Sequence, residues 1–307
     1  LISFITPDTN SYRWFFDINA VILIALFLIS ALIVRKIRPE YGYLFPLAPA
    51  VIASLFINWD LWAVVSAMLA IYYFDKKKYE ISAIALGVSI ATKFFPVVLL
   101  LPITIILYRS AAIDQLRKYL TTTLLFWLVI NLPIMATHFA GWWRFFKLNL
   151  ERSADFGSLW YGLSLLGVDI PFLNLIYLII TITSFIALAI YLLNLKQIPN
   201  LAQCALFAVV IFTTFSKVYS PQYVLWLTPL AVIALTKSVQ QIYFWIWQVS
   251  EIIYHLAIWQ YLAQYSGASF GLPAGGYAIA TLLRIVAITG FTYLLMRDLS
   301  AKSTAQM

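Results

Sequence analysis

The chain has 307 residues, of which 63% are hydrophobic and only 10% are charged, against roughly 25% charged in an ordinary soluble domain. That balance excludes a water-soluble fold. The net charge of +8 does not point to nucleic acid, because the lysines and arginines sit in short clusters between apolar runs rather than along one basic face. The one cysteine, Cys204, lies inside an apolar run, which excludes an intrachain disulfide and offers no Cys/His metal site.

Residues 1 to 17 are too polar and aromatic for a cleavable signal, and the first residue is Leu1 rather than Met, so the polypeptide reads as incomplete at its N-terminus. From there the apolar residues gather into runs such as Asn19 to Val34, Tyr119 to Ala136, Phe172 to Leu195 and Tyr277 to Met296. Each is near the length of about 20 residues that crosses hydrocarbon as a helix. Basic clusters at Arg35, Lys36 and Arg38, at Lys76 to Lys78 and at Arg109, Arg117 and Lys118, with weaker ones at Lys196, Lys237 and Arg297, are read as cytoplasmic. Spans are then expected near 18–34, 44–58 and 61–74. Two short helices hinged at Lys93 to Pro96 follow within 81–108, since proline permits the break. Further spans near 119–136, 172–194, 201–214, 223–236, 241–262 and 277–296 bring the total to about eleven crossings. Several hold only about 14 residues and must be tilted, sheltered by neighbours or misplaced at their ends. No fixed-period repeat or flexible linker divides the chain, so residues 1–307 form one all-α, polytopic membrane domain in a cell membrane. An extracytoplasmic loop is expected at about 137–171.

This topology puts Asn58, Trp59 and Asp60, then Lys93, the 137–171 loop, Lys217 and the loop from Gln264 to Gly276 on the extracytoplasmic side. Ionisable groups near membrane depth are functional candidates. The two lysines suit the phosphate of an anionic lipid, and a carboxylate suits proton removal from an attacking hydroxyl. Each has a plainer reading. Lys93 or Lys217 can snorkel to the interface, and Asp60 can cap the helix that starts at Leu61. In the long loop, Gly141 to Lys147 resembles an amphipathic interfacial segment. Glu151 to Tyr161, which includes Asp155, Trp160 and Tyr161, has a composition suited either to a pocket wall or to a surface loop with internally paired charges. Further on, Gln248, Glu251 and His255 share one helical face, opposite Arg284. Glu251 and Arg284 read as a buried ion pair or as part of a proton relay. No phosphate-binding glycine loop, zinc-protease histidine pair or nucleophile elbow is present, which disfavours a nucleotide-driven pump.

Four ordered segments carry a resemblance: Ile57-Asn58-Trp59-Asp60-Leu61, Ala91-Thr92-Lys93-Phe94-Phe95-Pro96, Ala154 to Tyr161, and Lys217 to Trp226 with Gln222 within it. From about Phe16 to the C-terminus the chain resembles actinobacterial membrane glycosyltransferases of the GT-C superfamily. The resemblance lies with glycosyltransferase family 87, which holds polyprenol-phosphate-mannose-dependent mannosyltransferases. It implies a GT-C-type helical bundle and inverting transfer of a sugar from a polyprenyl-phosphate donor to a lipid-linked or cell-envelope glycan acceptor on the outer face of the membrane. Mannose is the implied sugar, and pentoses remain open. Lys93, Lys217, Asp155, Trp160, Tyr161 and Gln222 are the expected substrate-binding residues. The general base of such enzymes is an Asp in the first extracytoplasmic loop, expected upstream of residue 1. Neither Asp8 nor Asp17 sits in a matching motif, which leaves Asp60 as a weak catalytic candidate. No cofactor is required; a divalent metal stays open, without a clear carboxylate cluster to hold it. Two rivals remain: a transporter or lipid flippase, with broken helices near Lys93 and Lys217, and an inactive, truncated glycosyltransferase.

Overall fold

A computed structural model describes residues 12–304, with side chains described as far as Ala301. Asp8 lies outside the described residues. The chain is all-helical, and among the described residues there is no strand. Its elements are α1 (Tyr12–Ile37), α2 (Leu44–Leu47), α3 (Pro49–Ser54), α4 (Asp60–Asp75), α5 (Tyr79–Thr92), a 3-10 turn (Phe95–Leu99) running into α6 (Leu100–Arg109), and α7 (Ile113–Thr137). There follow α8 (Phe139–Glu151), α9 (Leu159–Leu165), α10 (Leu173–Asn194) and α11 (Leu201–Phe215). A second 3-10 turn (Pro221–Tyr223) runs into α12 (Val224–Ala234), then come α13 (Gln240–Tyr265) and α14 (Ala274–Thr304).

Four helices, Tyr12–Ile37, Ile113–Thr137, Leu173–Asn194 and Ala274–Ala301, are long and apolar enough to cross a membrane. This is a helical membrane protein. α7 and α10 are almost unburied in their apolar windows, at 6% and 11%, so their outer faces need a hydrocarbon solvent. In contrast, every residue of the 11-residue α12 is buried, and most of α11 is buried with it. Their brevity is tolerable because neighbours, not lipid, surround them.

Two expectations are corrected. The span expected at 44–58 is not one helix. Ala48, before Pro49, is extended at ψ 114, as the proline ring requires of the preceding residue, and the segment splits into α2 and α3. The expected 137–171 loop is largely helical, carrying α8 and α9. The hinge at Lys93 is present: Lys93 is extended at φ −152 and ψ 133, and Pro96 sits in the first turn of the 3-10 segment that follows. The chain breaks in the same way before Pro221, where Ser220 is extended at ψ 155.

Small polar residues join α4, α5 and α7, as is usual where helices pack without a hydrophobic driving force. Ser82 Oγ donates to Ala70 O at 2.7 Å and meets the buried Tyr119 hydroxyl at 2.9 Å, while Ser89 Oγ donates to Ala63 O at 2.7 Å. A Cβ on Gly87 would stand 2.7 Å from Thr123 O, so glycine sets the α5–α7 distance.

Candidate functional site

Asp60 opens α4, yet its side chain caps nothing. It is fully buried; Oδ1 accepts from Trp226 Nε1 at 2.7 Å and lies 2.5 Å from Lys93 Nζ. The capping reading is replaced by an ion pair between the start of α4 and the break at Lys93, and Lys93 is paired rather than simply snorkelling. The Asp60 carboxylate holds Lys93 and Trp226 and is absent from the cavity walls, which Asp155 lines. Trp226 is in turn stacked on one side by Phe95 and on the other by Tyr223, each with ring centroids 3.8 Å away.

Above this pair two cavities meet. The larger, about 900 Å³, is walled by aromatic and aliphatic side chains including Trp59, Trp62, Phe94, Trp127, Trp142 and Phe146. The smaller, about 300 Å³, is the more polar of the two, lined by Arg152, Asp155, Ser220, Gln222 and Tyr223 beside Phe156, Val218 and Ile258. Lys93 and Asn58 line both. The apolar groove therefore ends in the polar pocket at one ammonium and one amide. α8 forms its far wall: Trp142 Nε1 donates to Asn131 Oδ1 at 2.9 Å, and Phe94 meets the Phe145 and Phe146 rings edge-on. No residue of α8 is buried, so it lies on the groove as a cover.

Within the polar pocket Asp155 pairs with Arg152 at 2.5 Å and accepts the Phe156 amide at 2.7 Å. Gln222 is buried, and its Oε1 has no partner, a vacant acceptor beside the pocket. The other expected residues are close by without facing in. Lys217 holds the Asp155 amide through its own carbonyl at 2.8 Å, but its ammonium turns away to Leu150 O and Asn174 Oδ1, at 3.1 and 2.7 Å. That corrects Lys217 from a phosphate ligand to a loop anchor. Burial, and then the nearby Arg152 charge, lowers its pKa from the ordinary lysine value. Trp160 is buried, donating to Phe215 O at 2.8 Å. Tyr161 meets Tyr261 hydroxyl to hydroxyl at 2.9 Å. Neither lines the two cavities; Tyr161 packs on Phe156, which does.

Arg284 and Glu251 form the expected buried pair, with Nη1 to Oε2 at 3.5 Å. Arg284 Nη2 also donates to Gly157 O at 2.9 Å and to Tyr219 O, and the guanidinium lies between the Tyr219 and Tyr254 rings. It thereby ties the loop of Asp155 to the loop of Gln222. His255 is apart from this, facing Trp259. The site residues not singled out in the sequence are Arg152, Asn58 as a shared wall, and Trp226. Each lay inside or beside a quoted segment, but only tertiary contact gives it a partner. Among the described residues no three His, Cys, Asp or Glu side chains gather as a metal cluster.

Comparison with known proteins returns no matching family model, no matching curated protein and no matching solved structure.

Proposed function

We propose that this protein is a multi-pass membrane glycosyltransferase of GT-C type that uses a polyprenyl-phosphate sugar as donor. The observation that carries the reading is the junction at Lys93, where an apolar groove of about 900 Å³ runs into a small polar pocket that also holds Arg152. A molecule with a long hydrocarbon tail and a phosphate head matches that division. The tail lies under α8, the phosphate meets Lys93 and Arg152, and the sugar lies against the rest of the small pocket, which Gln222 and Ser220 also line. In the reaction an acceptor hydroxyl oxygen attacks the anomeric carbon, the carbon–oxygen bond to phosphate breaks, and the electron pair remains on the polyprenyl phosphate. Cations already in place lower the barrier where that charge develops. Asp155 is the carboxylate lining the pocket, and it takes the acceptor proton. Asp60 keeps Lys93 oriented. The order of the four segments quoted from the sequence supports the same assignment, with mannose as the sugar and a lipid-linked or envelope glycan as acceptor on the outer face.

The test is binding of a polyprenyl phosphate to the protein in phosphatidylcholine nanodiscs, read by quenching of the groove tryptophans, followed by mannose release or transfer from polyprenyl-phosphate mannose. Lys93→Gln and Arg152→Gln should weaken phosphate binding, while an uncharged polyprenol should bind no worse to either variant. Equal affinity for polyprenol and polyprenyl phosphate would sink the reading.

The transporter reading has one observation in its favour. Both chain breaks, at Lys93 and before Pro221, are led by an extended residue and continue as a proline-headed 3-10 turn, the form of discontinuous helices that bind cargo in transporters. Movement of polyprenyl phosphate between leaflets of a proteoliposome without sugar release would select it.

A further inference from the structure

Away from the junction at Lys93, at the opposite end of α5, a separate cleft of about 530 Å³ lies between α5 and α7. It is lined by Tyr79, Glu80, Gln115, Arg117, Lys118, Tyr119, Thr121 and Thr122. We propose that this cleft is a binding site for the headgroup of an anionic phospholipid.

Its lining is mixed in charge: Arg117 and Lys118 against Glu80. Among the described residues Arg117 pairs with Asp114 alone, at 3.8 Å, with both side chains largely exposed, a pair worth little in water. Lys118 is exposed and, among the described residues, pairs with no carboxylate. Lys76, Lys77 and Lys78, all exposed, end in the residue just before Tyr79. The local field is therefore positive, the usual attraction for anionic headgroups beside a membrane helix.

What selects a lipid over a free anion is the surface beyond the cleft. α7 carries Arg117, Lys118, Thr121 and Thr122, then Leu124, Leu125 and Val129, at the three- and four-residue spacings that keep side chains on one face. Leu124, Leu125 and Val129 are each more than half exposed. A phosphate in the cleft thus places two acyl chains along an apolar stripe that the described residues leave largely uncovered. Tyr119, buried and hydrogen-bonded to Ser82, closes the floor. The inference is independent of the glycosyltransferase reading, since it needs only a helical membrane protein.

The experiment is native mass spectrometry of the intact chain released from nanodiscs holding equal phosphatidylglycerol and phosphatidylcholine. Retention of one phosphatidylglycerol over phosphatidylcholine, reduced about fivefold by Lys118→Gln and unchanged by Lys36→Gln, is the expected result. Both substituted residues are exposed, so the fold is preserved, and an unchanged melting temperature checks this. Equal loss in the two variants would assign the effect to bulk charge and overturn the site. Displacement of the lipid by inorganic phosphate alone would overturn it too, as a site for free anion.

Discussion

The ammonium of Lys93 lies 2.5 Å from the carboxylate of Asp60 although they are 33 positions apart in the sequence, and Trp226 donates to the same oxygen from a third element. Three helix ends thus converge on one buried anion. From it a column of stacked groups runs through Trp226, Tyr223 and Tyr219 to the Arg284 guanidinium, so the two ion pairs are mechanically joined beneath the polar pocket.

Asp60→Asn is expected to destabilise the protein by about 2–4 kcal/mol, because it leaves an amide facing a partly buried ammonium. Lys93→Met made in the same background should recover much of that loss. Thermal melting of the two single variants and the double variant supplies the cycle; strict additivity would show that the pair is not coupled. A loss of sugar transfer in Asp60→Asn is expected only in proportion to the weaker placement of Lys93.

Arg284→Lys should cost about 2–5 kcal/mol and loosen the pocket, since one ammonium cannot replace both Nη2 on the two carbonyls and Nη1 on Glu251, nor stack as a plane between the two rings. Hydrogen exchange separates this from general instability. The Asp155 amide, bonded to Lys217 O at 2.8 Å, should exchange faster relative to amides at the far end of α5. Uniform acceleration along the chain would dismiss Arg284 as a specific tie between the loops.

How much of this was legible depended on distance along the chain. The hinge at Lys93 was visible because Pro96 forbids a continuous helix locally. The Glu251–Arg284 pair was visible because two lone charges stood in facing apolar spans. The partner of Asp60 was not, since Trp226 lies 166 residues away and no periodicity reports such a contact. The 44–58 segment was misread because its apolarity outweighed Pro46 and Pro49, and hydropathy does not register the loss of a backbone donor. Lys217 was placed in the right loop with its side chain facing the wrong way. Sequence gives the position of a loop lysine, whereas the packing of Leu150 and Asn174 decides where its ammonium goes.

That direction makes Lys217 testable by pH. Its pKa is lowered in the folded state, so from the lowered value up to about 10.4 the unfolded chain holds more proton than the native one. Stability contributed by this group therefore rises with pH across that window. Lys217→Met should remove the rise, and the difference between wild type and variant isolates it from tyrosine titration. Donor affinity should fall less in Lys217→Met than in Lys93→Gln. The reverse order would return Lys217 to the phosphate site.

Gly157 offers the sharpest local test of the pocket wall. It sits at φ +74, a left-handed conformation costing a residue with a Cβ about 1–2 kcal/mol. An added Cβ would also collide with Tyr219 O, the Tyr254 hydroxyl and Arg284 Nη2. Gly157→Ala should lower stability by more than about 2 kcal/mol, and it should disturb polyprenyl phosphate binding because Asp155 and Gln222 flank the displaced contacts. Gly141→Ala, in the covering helix α8, meets nothing within 4 Å and should be neutral or stabilising by up to about 1 kcal/mol. Paired melting and binding curves decide the matter: similar effects of the two substitutions would mean that the loop around Gly157 is not held against Arg284 as described.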